Sequence, residues 1–189
     1  MKPSGHERES DTEADVRLAA PGELGRPSGV GGRLLERGDE LQRFVSAIAL
    51  AKVDNGQVVT LEGSAGIGKT RLLRAAMELA AASGVVVVSA RGGQMESEFA
   101  FGVVRQLFEP VLAAAETGER EALLDGSAAP AAWVVGVTSP AGEDETPGGD
   151  RGFATLHGLY WLTANLAGHA PLLMAVDDAH WADAPSLRF

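Results

Sequence analysis

The sequence has no cysteine, only three lysines, a single tyrosine and no long apolar run, and each scarcity closes a class of function. Without cysteine there is no disulfide framework, no thiolate zinc site and no cysteine nucleophile. No apolar stretch reaches the ~20 residues that a membrane-crossing helix needs. The amino-terminal "MKPSGHERESDTEADVR" lacks the apolar core of a secretory signal. A cytoplasmic protein without membrane contact is therefore expected. Positive charge is also scarce: the formal net charge is -10. DNA binding relies on Lys and Arg displacing condensed counterions, so no direct DNA contact by this chain is expected.

What is present suffices for one domain. At 189 residues and 45% hydrophobic the chain can bury a core of its own. Residues 1–32 mix Pro, Gly, Ser and alternating charge with few large apolar side chains, which predicts a disordered tail ahead of a domain spanning 33–189. In "RLLERGDELQRFVSAIALAKVDNG" the apolar positions Leu34, Leu41, Phe44, Val45 and Ile48 recur at helical spacing, with Asp39 as N-cap and Asn55-Gly56 as the stop. "QVVTLEG" (57–63) is a short β-branched run that reads as a buried strand. "KTRLLRAAMELAAASG" reads as a helix closed by Gly84, and "VVVVSARGG" as a second strand. A further helix over 99–115 should be interrupted or ended near Pro110. The pattern weakens over 117–151, where "SPAGEDETPGGDR" has the composition of a loop. "FATLHGLYWLTANLAGH" resumes helical spacing, and "PLLMAVDD" is a third apolar strand. Alternating strands and helices imply an α/β fold with a parallel sheet and right-handed crossovers.

The chemistry concentrates in "LEGSAGIGKT", residues 61–70. It fits G-x-x-x-x-G-K-[ST] between a predicted strand and a predicted helix. Four such constrained positions arise by chance in a chain of this size roughly once in two hundred sequences. Gly63, Ser64, Ala65, Gly66, Ile67 and Gly68 would form a cradle of backbone N–H groups around a phosphate, beside the positive end of a helix dipole. Lys69 would add a point charge, and Thr70 a hydroxyl for Mg²⁺. Such a loop calls for an acid at the end of an apolar strand, and "LLMAVDD" supplies Asp177 for the metal shell and Asp178 to polarise water. ATP and Mg²⁺ are the cofactors this pairing implies. His157, Trp161 and Trp181 read as packing or surface residues, and neither a metal-ligand spacing nor a Ser-His-Asp arrangement emerges.

Five segments, "LLERGDELQRF", "GSAGIGKTRLL", "EFAFGVVRQLFEP", "FATLHGLYWLTANLA" and "LLMAVDDAHWADAPSLRF", occur in the order typical of large ATP-binding LuxR-type transcriptional regulators. The chain resembles the amino-terminal part of their ATPase module, an AAA-like, STAND-type P-loop switch, over residues 33–189. The resemblance implies a P-loop NTPase three-layer sandwich with a mostly parallel sheet, incomplete at its carboxy-terminal end. It also implies that Arg37 lies beside the nucleotide, that Asp177 is the Mg²⁺ acid and that Asp178 is the second acid. Many vigorous ATPases of the wider superfamily carry glutamate at this last position, so at most slow hydrolysis is expected. Family members continue with further strands, a helical lid, helical repeats and a helix-turn-helix, so a truncated product or fragment is expected. The strand that should insert between the acidic strand and the loop strand would then be missing. The partners implied are a nucleotide and a protein partner or the remainder of a larger regulator. Two other readings stay open: a P-loop ATPase or small-molecule kinase, and a non-binding remnant acting through protein contacts.

Overall fold

The computed structural model describes residues 37–95, 99–137 and 150–189. The expected tail and most of the acidic Pro/Gly loop lie outside them. The order of elements is α1 (Gly38–Ala51), α2 (Lys69–Ala82), β1 (Val86–Arg91), α3 (Gly102–Ala114), α4 (Thr117–Leu123), a short 3-10 helix (Gly126–Ala131), α5 (Asp150–His169), β2 (Leu172–Asp177), a 3-10 turn (Ala179–Trp181) and α6 (Ala184–Arg188).

β1 and β2 pair in parallel, Val86 opposite Leu172 through to Arg91 opposite Asp177. Side chains alternate between the faces of a strand. Val88 and Ala90 therefore share one face, and they join α3 and α5 in the main core, against which Leu172 and Val176 also pack. That core contains Val104, Leu107, Phe108, Val111 and Leu112 from α3, and Leu159, Leu162 and Leu166 from α5. The other face buries Ala175, and α2 packs against both strands. α1 in turn packs on α2, through a smaller cluster of Phe44, Leu72 and Ala76 with Leu41 and Leu61 against it. The result is the helix–sheet–helix layering of an α/β fold around a two-stranded sheet among the described residues.

Four expectations need correction. The first helix starts at Gly38, with Arg37 rather than Asp39 at its N-cap position; Asp39 and Glu40 occupy the first turn, where a negative charge complements the helix dipole. Its last residue is Ala51, several residues before Asn55-Gly56. α3 runs through Pro110 to Ala114. An interior proline costs roughly 3 kcal/mol, but burying a large apolar side chain returns about 1.5–3 kcal/mol, and both Val111 and Leu112 are buried beyond it. Residues 57–63 form no strand. Their β-branched residues suit one, but backbone N–H and C=O groups need ladder partners, and no described strand lies alongside. Only Leu61 of this segment reaches a core cluster, while Val58 is 96% exposed.

Residues 117–137 carry more structure than their weak pattern promised. Leu123, Leu124, Ala128, Ala131, Val134 and Val135 all enter the main core. α5 packs closely on the 3-10 helix because Gly158 has no side chain: a Cβ there would lie 2.7 Å from the Ala131 nitrogen. Thr155, buried beside it, accepts from Trp133 Nε1 at 3.2 Å and donates to the Arg151 carbonyl at 2.9 Å.

Candidate nucleotide site

The loop ahead of α2 bends where its sequence permits. Gly66 and Gly68 have φ of 78° and 94°, in the left-handed region where a Cβ is disfavoured. Gly68 holds the N-cap position of α2 with no side-chain cap, so Lys69 and Thr70 open the helix and its positive dipole end adjoins the loop. Lys69 Nζ donates to the carbonyls of Gly63 at 2.8 Å and Ser64 at 3.0 Å, closing the loop on itself. Residues 62–68 are otherwise exposed. Arg37 reaches the same loop, with Nη2 donating to the Ile67 carbonyl at 3.1 Å and Nη1 paired with Glu40 at 2.7 Å. That pairing holds the Glu40 carboxyl below the usual carboxylate range.

The position of α2 brings this loop to the acidic end of the sheet. Gly84, with φ of 78°, reverses the chain between α2 and β1, and Val85 N donates to the Ala80 carbonyl. The 14 residues of α2 rise ~21 Å at ~1.5 Å each. The 6 residues of β1 rise ~20 Å at ~3.3 Å each. The start of α2 therefore lies level with the carboxy-terminal ends of β1 and β2, where ligands bind in open α/β sheets. Lys69 and Thr70 thus share one end of the sheet with Asp177, the last residue of β2.

The two acids differ in their surroundings. Asp177 Oδ1 accepts from the Asp178 backbone N–H at 3.0 Å, folding the carboxylate over the turn. Asp178 is left-handed, with φ of 50°, and its Oδ2 accepts from Arg91 Nε at 3.0 Å and Nη2 at 2.7 Å. This contact holds the Arg91 guanidinium still further towards its protonated form. Arg91 is two-thirds exposed, so solvent screens the pair and it adds little to stability. Its effect is to orient the carboxylate.

Sequence reasoning missed Arg91, Gln106 and Asp183. Gln106 clasps the end of β1, its Oε1 accepting from the Arg91 backbone N–H at 2.9 Å and its Nε2 donating to the Arg91 carbonyl at 3.1 Å. Gly92 follows, and its N–H donates to the Asp177 carbonyl at 2.9 Å. Asp183 fastens the turn after the acids to the start of α3. An arginine directly after "VVVVSA" and the helix-start pattern "DAPS" were the available signals. His157 and Trp161 lie on the exposed side of α5, joined by a hydrogen bond at 3.1 Å.

A Gly-rich loop opening a helix, level with an acid that ends a parallel strand, defines a P-loop module. The chain belongs to the AAA ATPase domain family, whose sequence model matches residues 33–189. No curated protein and no solved structure matches it. Among the described residues no helix is long and apolar enough to cross a membrane.

Proposed function

We propose that this domain is an ATP-binding switch module, with Mg²⁺ held by Thr70 and Asp177, in a transcriptional regulator of the LuxR type. The observation that carries nucleotide binding is the pair of left-handed glycines, Gly66 and Gly68, immediately ahead of Lys69 at the start of a 14-residue helix. That backbone turns successive N–H groups toward one anion at the positive end of a helix dipole. Lys69 is already poised over the loop and can exchange the Gly63 and Ser64 carbonyls for phosphate oxygens. Arg37, tethered to Ile67, closes the side of the loop nearest α1.

The hydroxyl of Thr70 and the carboxylate of Asp177 are hard oxygen donors of the kind Mg²⁺ takes. Among the described residues no group of three or more His, Cys, Asp or Glu could hold a metal ion. The arrangement suits an ion that takes most of its ligands from phosphate and water. In hydrolysis, Asp178 would receive a proton from water as the new bond to the γ-phosphorus forms and the bond to the bridging oxygen breaks, releasing ADP. Aspartate reaches one methylene less far than glutamate, and slow turnover suits a device whose output is a difference in affinity between conformations. The regulator context rests on the five ordered segments of the sequence. With a net charge of -10, the partner is protein rather than DNA.

Calorimetric titration of Mg-ATP into the chain and into Lys69→Ala tests this reading. Affinity in the first and none in the second is expected. Equal affinity in a folded Lys69→Ala variant would remove the phosphate role of the loop.

A further inference from the structure

We propose that Asn55-Gly56 is a self-modifying site, where the Asn55 side-chain amide is hydrolysed through attack by its own backbone and the neighbouring Gln57 assists. The pair lies in the turn after α1, whose residues from Lys52 to Gln57 are all exposed. Asn55 N–H donates to the Leu50 carbonyl at 3.1 Å, and Asp54 before it is left-handed with φ of 59°, so Asn55 is fixed to the end of the helix. Gly56 is open. A Cβ there would meet nothing within 4 Å, and among the described residues nothing accepts from its N–H. A nitrogen with no side chain beside it and no hydrogen bond to give up is the nucleophile this reaction needs. Gln57 holds the electrophile, with Nε2 donating to Asn55 Oδ1 at 3.0 Å and to the Gly56 carbonyl at 3.0 Å.

In the first step Gly56 N bonds to Asn55 Cγ and gives its proton to hydroxide, while an electron pair of the Cγ–Oδ1 bond moves onto Oδ1. Gln57 Nε2 already stands at the distance from that oxygen at which a donor steadies an oxyanion. The pair then returns, the Cγ–Nδ2 bond breaks, and the nitrogen takes a proton from water and leaves as ammonia, which regenerates hydroxide. Water opens the resulting cyclic imide at either carbonyl: attack at Cγ gives aspartate, and attack at the main-chain carbon gives isoaspartate, whose backbone is one methylene longer. Both products place a new negative charge next to Asp54 and beyond the carboxy-terminal end of α1, where the helix dipole disfavours it. Isoaspartate also lengthens the chain at the entrance to residues 57–63 and the Lys69 loop. The chain's other asparagine, Asn165, lacks these features: it precedes Leu166 within α5, and its Nδ2 donates to the Leu123 carbonyl at 3.0 Å.

The test incubates the full chain at neutral and mildly alkaline pH and follows both asparagines by peptide mass mapping, with isoaspartate identified by enzymatic methylation. Conversion at Asn55 to both acids, faster at the higher pH and with Asn165 unchanged, is expected. Gly56→Ala, which has room for its methyl group, should nearly abolish it. Gln57→Ala should slow conversion about 5-fold, equivalent at 1.36 kcal/mol per tenfold to the ~1 kcal/mol of one neutral hydrogen bond. Gln57→Glu, of the same shape without the donor, should slow it at least as much. Thermal midpoints of all variants equal to wild type would show that these rates report on the site and not on unfolding. Conversion at Asn55 no faster than at Asn165, or undiminished in Gly56→Ala, would overturn the site, and equal rates in wild type and both Gln57 variants would overturn the assistance by Gln57.

Discussion

Asp183 and Phe101 are joined across 82 positions of sequence by a 2.7 Å hydrogen bond, from the Phe101 backbone N–H to Asp183 Oδ1. The same carboxylate accepts from Ser186 N at 2.9 Å, Ser186 Oγ at 2.6 Å and Val103 N at 3.4 Å. One buried side chain thus caps α6 and fastens the start of α3, where Phe101 adopts a left-handed φ of 62°. With only 3% of Asp183 exposed, water does not replace these contacts.

Asp183→Ala should therefore lower stability by about 1–3 kcal/mol, the cost of leaving buried donors unsatisfied. Asp183→Asn keeps one acceptor oxygen and should lose less. Urea denaturation of the three proteins measures the order, and an alanine variant as stable as wild type would refute it.

The same carboxylate predicts an acid-dependent loss. Burial raises its pKa, but the hydrogen bonds from Ser186, Phe101 and Val103 together outweigh it, and the net shift is downward. A folded pKa below the unfolded one gives a contribution that is fully present above the unfolded value of about 3.9 and is lost as pH falls through the folded value. The stability gap between wild type and Asp183→Asn should stay constant from neutral pH down to about pH 5 and shrink only below about pH 4. A gap that closes near neutrality would contradict the assignment.

Gly158→Ala sets two effects of known size against each other. Alanine gains about 1 kcal/mol in helix propensity, whereas forcing a methyl group against backbone costs typically 1–3 kcal/mol. The methyl would lie 2.7 Å from the Ala131 nitrogen and 3.1 Å from the Pro130 carbonyl carbon, neither at the end of a flexible side chain. Net destabilisation is expected, visible as a lower thermal midpoint; a higher midpoint would mean that the 3-10 helix yields readily.

Asp177→Asn and Asp178→Asn should separate in their effects although the residues are adjacent. The first should weaken Mg²⁺-dependent ATP binding. The second should leave affinity intact and alter turnover. Calorimetry with and without Mg²⁺, beside phosphate release, distinguishes them, and equal losses in both assays from both variants would refute the division.

Much of this was legible because periodicity and punctuation agree. Gly84 follows α2, and three of the four valines after it open the strand that pairs in register with "LLMAVD". The loop was legible from residue types alone, since Gly66 and Gly68 stand where φ is positive. The Arg91–Asp178 contact was not, because it depends on two strands lying side by side with Arg91 opposite Asp177. The core over 123–135 was hidden because most of it is built on a 3-10 helix and turns, whose buried residues follow neither a helical nor an alternating period. The strand expected over 57–63 shows the converse: a β-branched run records what a segment prefers, while a ladder also needs a neighbour.

That exposed segment has a consequence in time. Amides that bond across from β1 to β2, such as Val86 N–H to the Pro171 carbonyl and Gly92 N–H to the Asp177 carbonyl, exchange with deuterium only when the sheet opens, whereas those of Val58, Val59 and Thr60 have no described ladder bond to break first. A deuterium pulse should label residues 58–60 well before the strands. Slower labelling of these residues would then report, residue by residue, the arrival of whatever pairs with the approach to the Lys69 loop.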